Sequence, residues 1–126
     1  MRLHHLLRNA ECVDDQAVTS GFIYDLGSYP GAQFKAGAKI VGELYEVTPK
    51  ILEELDRVEG FLHDNKRHSL FWRKKIQVMI CTPGSGLGSV VEAFAYEWNR
   101  GTAGLIPIAS GNYKSYMRAS HETNHF

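Results

Sequence analysis

The sequence has almost no cysteine, no surplus of charge and no long apolar run, and each shortage removes a class of protein. Cys12 and Cys81 are the only two cysteines. They lack CxxC spacing, which leaves neither a disulfide framework nor a zinc ribbon. That usage fits a reducing, cytoplasmic setting. Fourteen basic side chains cancel fourteen acidic ones. A nucleic acid or an anionic membrane surface therefore has no electrostatic case as a partner. The most basic stretch, Lys66-Arg67-His68 followed by Arg73-Lys74-Lys75, reads as a solvated strand or loop. No apolar run approaches the length of a membrane span, and no signal-peptide pattern precedes the first structured segment. His4 and His5 are adjacent, so on a helix they diverge, and no acid or histidine stands at ligand spacing to them. No metal site is expected. Internal repeats and low-complexity tracts are also absent.

What is present reads as one domain. With 44% hydrophobic and 22% charged residues the chain is globular, and 126 residues suffice for one core but not two. The domain is expected over residues 1–119, with residues 120–126 a polar, flexible tail. Met1–Asn9 reads as a short helix with Leu3, Leu6 and Leu7 on one side. Glu11–Val13 and Val18–Leu26 read as extended segments. Gly27, Pro30 and Gly31 punctuate a loop from Leu26 to Ala32. There the glycines would let backbone N–H groups approach a ligand, and Tyr29 would supply an aromatic wall. An ordinary turn explains the same residues. Lys39–Val47, Leu70–Thr82 and Ser89–Trp98 are predicted strands, the last two a hairpin across the turn Pro83–Gly88. The glycine spacing in that turn is not a dinucleotide fingerprint, and a strand follows it. Glu43 and Glu46 inside the first of these strands are rim residues or second carboxylates. Leu62–Ser69 is a polar connection with a mobile tip, and Lys114–Met117 is a helical turn. Strands outnumber helices, which suggests an α+β domain whose mostly antiparallel sheet curls at least partly into a small barrel.

The rest is organised around Thr48–Phe61. Thr48 can cap a helix, Pro49 suits its first position, and Gly60 suits a left-handed terminator. Ile51, Leu52, Leu55 and Val58 form an apolar face at helical spacing. Glu53, Glu54 and Asp56 are expected to point away from its centre. Glu59 lies on the edge of the stripe, in the last turn. There burial and the negative helix end both favour a raised carboxylate pKa, suited to a general base. Spacing alone favours a boundary residue whose carboxylate reaches water.

Seven segments together resemble the γ-glutamylcyclotransferase-like proteins, which include the avirulence-induced plant homologues. They are Leu3-His-His-Leu-Leu7, Gly21-Phe-Ile-Tyr-Asp-Leu-Gly-Ser-Tyr-Pro-Gly31, Val41-Gly-Glu-Leu-Tyr-Glu-Val47, Leu55-Asp-Arg-Val-Glu-Gly60, Phe71-Trp-Arg73, Tyr96-Glu-Trp98 and Ile108-Ala-Ser-Gly-Asn112. They occur in the family order and cover nearly the whole chain. The resemblance implies a small barrel flanked by short helices, and Glu59 as the catalytic carboxylate. It implies that a small γ-glutamyl compound is cleaved without water. The substrate's α-amino group attacks its own γ-carbonyl, expels an amine and closes 5-oxoproline, with neither metal nor cofactor. It also places Gly27, Tyr29, Pro30 and Gly31 in the wall of the substrate cavity and Asn112 near its rim.

Two departures set a competing expectation. The family begins with a strand ending in a Tyr-Gly-Ser/Thr-Leu loop that cradles the glutamyl moiety, whereas this sequence opens at Met1-Arg-Leu-His. Either the true start lies upstream, or another chain fills the gap, which would favour a homodimer. Phe71 stands where relatives usually carry Tyr, so Tyr45 or Tyr96 would have to supply a hydroxyl. The alternative to an enzyme is thus a family member without catalysis, a small-ligand binding or dimeric interaction module.

Overall fold

The computed structural model describes Leu7, residues 10–84 and residues 86–123, the last five through their backbone alone. The helix expected over Met1–Asn9 lies, Leu7 apart, outside the described residues, as does the end of the polar tail. The described elements are β1 (Glu11–Ser20), β2 (Phe22–Asp25), β3 (Pro30–Gln33), β4 (Lys39–Glu46), α1 (Pro49–Val58), β5 (Phe71–Met79), β6 (Val90–Trp98), β7 (Ile106–Pro107) and α2 (Tyr113–Thr123). The strand pairs are antiparallel and the class is α+β. A small core of Ile23, Ile40 and Ile108 joins β2, β4 and the segment before α2, with Phe34, Tyr113 and Tyr116 packed around it.

The expected barrel does not close among the described residues. The strands form two sheets, ordered β4-β1-β5-β6 and β3-β2-β7. β1 carries two register shifts, at Cys12/Asp14 and Asp14/Ala17. Such irregularities bend a strand and interrupt its ladder. Backbone pairing between β1 and β5 is confined to Val18↔Met79, and beside it the Thr19 hydroxyl donates to the Gln77 carbonyl at 2.8 Å. Just after β3 the Phe34 N–H is donated to the Glu97 carboxylate of β6 at 2.8 Å, a side-chain bond and not a ladder bond.

The elements differ from the sequence expectation at two further places. Asp14 to Ala17 belongs to β1, so the first predicted extended segment runs on to Ser20, and the second, Val18–Leu26, divides at Gly21 between β1 and β2. The polar interruption is absorbed by Asp14, only 2% exposed. Its carboxylate accepts the N–H groups of Gln16 (2.9 Å) and Cys81 (2.6 Å) and the Thr82 hydroxyl. A buried polar group with its hydrogen bonds complete does not break a strand. The helical turn expected near Lys114 is a full helix, capped by Asn112, whose Oδ1 accepts the Ser115 N–H at 3.1 Å.

Burial alone would raise the Asp14 pKa, but the hydrogen bonds from Thr82, Gln16 and Cys81 outweigh it and hold the carboxyl below its ordinary value. Asp25 is held low by the Tyr116 hydroxyl and the Gly27 N–H. A carboxyl whose folded pKa is depressed adds stability above its unfolded pKa. That stability is lost as pH falls through the folded value. The urea midpoint should therefore be steady above about pH 5 and drop below it. Asp14→Asn should flatten that drop while lowering the midpoint throughout. An acid limb as steep in Asp14→Asn as in the parent chain would remove Asp14 as its source.

Candidate active site

The end of α1 is built by local chemistry. The Thr48 hydroxyl accepts the Ile51 N–H at 3.2 Å, and Pro49 occupies the first turn. At the other end Gly60 adopts φ +68°, the left-handed region that favours glycine. The Phe61 N–H then reaches the Asp56 carbonyl (2.9 Å) and the Gly60 N–H the Arg57 carbonyl (3.2 Å). This pair of bonds is the Schellman termination. It fixes Glu59 as the capping residue, its N–H bonded to the Leu55 carbonyl at 2.9 Å. Glu59 is 7% exposed, so its side chain is drawn into the protein and not out to water.

Asp56 corrects the sequence reading. Expected on the outer side of α1, it is 5% exposed and the most heavily bonded side chain on the helix. Its Oδ2 receives the Arg73 guanidinium at 2.6 Å and its Oδ1 the Tyr96 hydroxyl at 2.6 Å. The His63 ring nitrogen stands 3.3 Å from Oδ2, on the exposed side. The signal was in the spacing: Leu52, Leu55, Asp56 and Glu59 follow the i, i+3, i+4, i+7 pattern of one buried stripe. Its partners come from one ladder, where Arg73 pairs with Tyr96 and Phe71 with Trp98. Residues two apart on a strand share a face, so all four turn toward α1. Burial first, then the Asp56 carboxylate and the more distant Glu59, push the Tyr96 phenol well above its ordinary range, against the opposing Arg73. Tyr96 is neutral at any physiological pH.

The register also decides which tyrosine lies near Glu59. Tyr96 does. The Tyr45 hydroxyl donates instead to Glu43 (3.2 Å), which also pairs with Lys114 (2.9 Å). Burial and the Glu43 charge push its phenol up to about 12. After Glu59 the chain runs into the connection from Leu62, which is laced from within. The fully buried Ser69 hydroxyl accepts the Leu62 N–H at 2.8 Å, and Asn99 and Arg100 bind the Ser69 carbonyl at 2.9 and 2.7 Å.

The other predicted site residues divide between two places. The Tyr29 ring lies 6.0 Å from Phe71, centroid to centroid, and Phe71 in turn 5.3 Å from Trp98, which brings Tyr29 to the hairpin face shared with Arg73 and Tyr96. Gly31 is buried beside it, where an added Cβ would come within 2.7 Å of Leu26 and 3.2 Å of Trp98. Gly27 is exposed, and its N–H is donated to Asp25 at 2.7 Å. Pro30 and Asn112 line a cleft of about 720 Å³ between β1, β4 and the start of α2, with Glu43 and Lys114 on its wall. Glu59 is not among the residues lining that cleft. No group of three or more His, Cys, Asp and Glu side chains suited to a metal gathers among the described residues, and no described helix is long and apolar enough to cross a membrane. At the end of α1 the structure gathers two acids, a guanidinium and a phenol, a set suited to moving protons and steadying charge.

Comparison with known proteins places this architecture. The structure is similar to PH0828 from Pyrococcus horikoshii (22% identity, TM-score 0.66, covering 98% of this chain and 87% of that one) and to YkqA from Bacillus subtilis (TM-score 0.69). These are mostly antiparallel α+β folds of one kind. Residues 1–115 match the family described as gamma-glutamyl cyclotransferase, AIG2-like, and the chain belongs to that family. In sequence YkqA is 27% identical over 124 residues, 96% of this chain but 39% of YkqA. BH1612 from Halalkalibacterium halodurans is 36% identical over 69 residues, 53% of this chain and 61% of that protein. Both carry provisional names as gamma-glutamylcyclotransferases. The chain thus spans less than two thirds of the length of either.

Proposed function

We propose that this chain is an enzyme of the γ-glutamylcyclotransferase type, releasing an amine from a small γ-glutamyl compound with Glu59 carrying the protons. The observation that supports this most is the burial of Glu59 at a rigidly terminated helix end, beside the neutral phenol of Tyr96. In this reading the Glu59 carboxylate takes a proton from the substrate's α-ammonium. The freed amine attacks the γ-carbonyl, and a new C–N bond closes the ring. The tetrahedral intermediate collapses by breaking the bond to the departing amine, which receives the proton from Glu59. The products are 5-oxoproline and the free amine.

The chemistry demands little of the protein, because the nucleophile is tethered to its own target and carries a high effective concentration. What remains is proton transfer and confinement. Tyr29 and Gly31, on the hairpin face shared with Tyr96, would confine the glutamyl end; Pro30 and Asn112 line the separate cleft that Glu59 does not line, and the Gly27 N–H is already donated to Asp25. Incubation with a panel of γ-glutamyl amines and γ-glutamyl dipeptides should yield 5-oxoproline and free amine in equal amounts from at least one member. Tight binding without product across the whole panel would sink the enzymatic reading and leave a small-ligand binding module.

A further inference from the structure

We propose that Asp56, Arg73 and Tyr96 form a positioning unit that sets the placement of Glu59. The proposal rests on Glu59 as the proton carrier. Both oxygens of the Asp56 carboxylate are used, one by Arg73 and one by Tyr96, each at 2.6 Å. A carboxylate held at two points cannot swing. The two donors are directly opposite each other in the β5–β6 ladder, so the width of the clamp is set by backbone register and not by surface rotamers. Asp56 and Glu59 are three residues apart at the end of α1, so they lie about one turn apart on the same face. Fixing Asp56 fixes the stretch of helix backbone from which the Glu59 side chain projects.

Arg73 grips the helix end a second time. Its guanidinium lies over the Phe61 ring at 5.1 Å and the Phe94 ring at 4.6 Å. Phe61 is the residue whose N–H closes the α1 terminator on the Asp56 carbonyl. One cation therefore holds both the carboxylate before Glu59 and the aromatic ring after it. A buried ion pair of this kind contributes little net stability compared with apolar packing of the same volume. What it supplies here is one orientation.

The experiment uses the intact chain and compares steady-state kinetics with thermal unfolding. Tyr96→Phe keeps the ring and removes the hydroxyl, and Asp56→Asn keeps the shape and removes the charge. Arg73→Lys keeps the charge and removes the planar fork. Each should lower kcat by about 10- to 100-fold, the scale of a small misplacement of a catalytic group. KM should stay within about twofold, because the proposed role acts through Glu59 and not through substrate binding. In a Glu59→Gln background the same changes should cost nothing further, since they act through a group already removed. Should Asp56→Asn fail to fold, Tyr96→Phe and Arg73→Lys carry the test. Unchanged kcat in the folded variants, a rise confined to KM, or full additivity with Glu59→Gln would each overturn the positioning role while leaving the cyclotransferase reading intact. A parent chain that forms no product overturns both.

Discussion

Glu59→Gln is expected to lower 5-oxoproline formation by about 10²- to 10⁴-fold while leaving the protein folded. Glutamine has the same shape and keeps the backbone bonds that terminate α1, so the helix end should survive. What it lacks is a group that takes up and returns a proton near neutral pH. Without that group the substrate remains an ammonium, which has no lone pair to attack with, and the departing amine leaves unprotonated. The residual rate would reflect the tethering of the nucleophile alone. Product quantified by chromatography, with circular dichroism as the check on folding, decides the matter. A glutamine variant as fast as the parent would mean that another group handles the protons.

The largest effect on stability is expected at Gly111. Its φ is +69°, and a Cβ built there would lie 1.9 Å from the Lys39 carbonyl oxygen and 3.0 Å from the carbonyl carbon. Both are backbone atoms of β4, so no side chain can give way. The Gly111 carbonyl also accepts the Val41 N–H at 2.9 Å, which ties the start of α2 to the same strand. Gly111→Ala must therefore push α2 off β4 or tear that tie, and should cost more than about 3 kcal/mol in chemical denaturation. Gly27→Ala is the control. Its φ is +109°, yet an added Cβ there meets nothing within 4 Å. It should show the backbone strain alone, about 1–2 kcal/mol. Equal losses at the two positions would mean that the clash at Gly111 is relieved by a small local shift.

The parts of the fold that could be read from the sequence are those written locally. α1 was legible from end to end because Thr48, Pro49 and Gly60 each act within one turn of where they stand. The β5–β6 hairpin was legible because its alternation is long and its turn is rich in glycine. Asp14 was not, since apart from the local Gln16 N–H the donors that make its burial tolerable come from Cys81 and Thr82, after β5. Asp56 was half legible. Its position on the helical stripe was visible, but its chemical type argued for water, and the partner that reverses that argument lies on another element. The choice between Tyr45 and Tyr96 needed the strand register that sets Tyr96 opposite Arg73. Barrel closure was overread because alternation along a strand does not say which edges pair, and the strands divide into two sheets.

The single residue pair between β1 and β5 gives the α1 terminus a mechanical meaning. The β1–β4 ribbon, whose ladder shifts register twice, meets the β5–β6 ribbon through that one ladder pair, the bond from the Thr19 hydroxyl to the Gln77 carbonyl, and the bonds that Asp14 accepts from Cys81 and Thr82. Covalently α1 extends the first ribbon; through Asp56 it is bolted to the second. The helix is therefore a second brace across the joint, and Glu59 stands at the end of it that meets the β5–β6 ribbon.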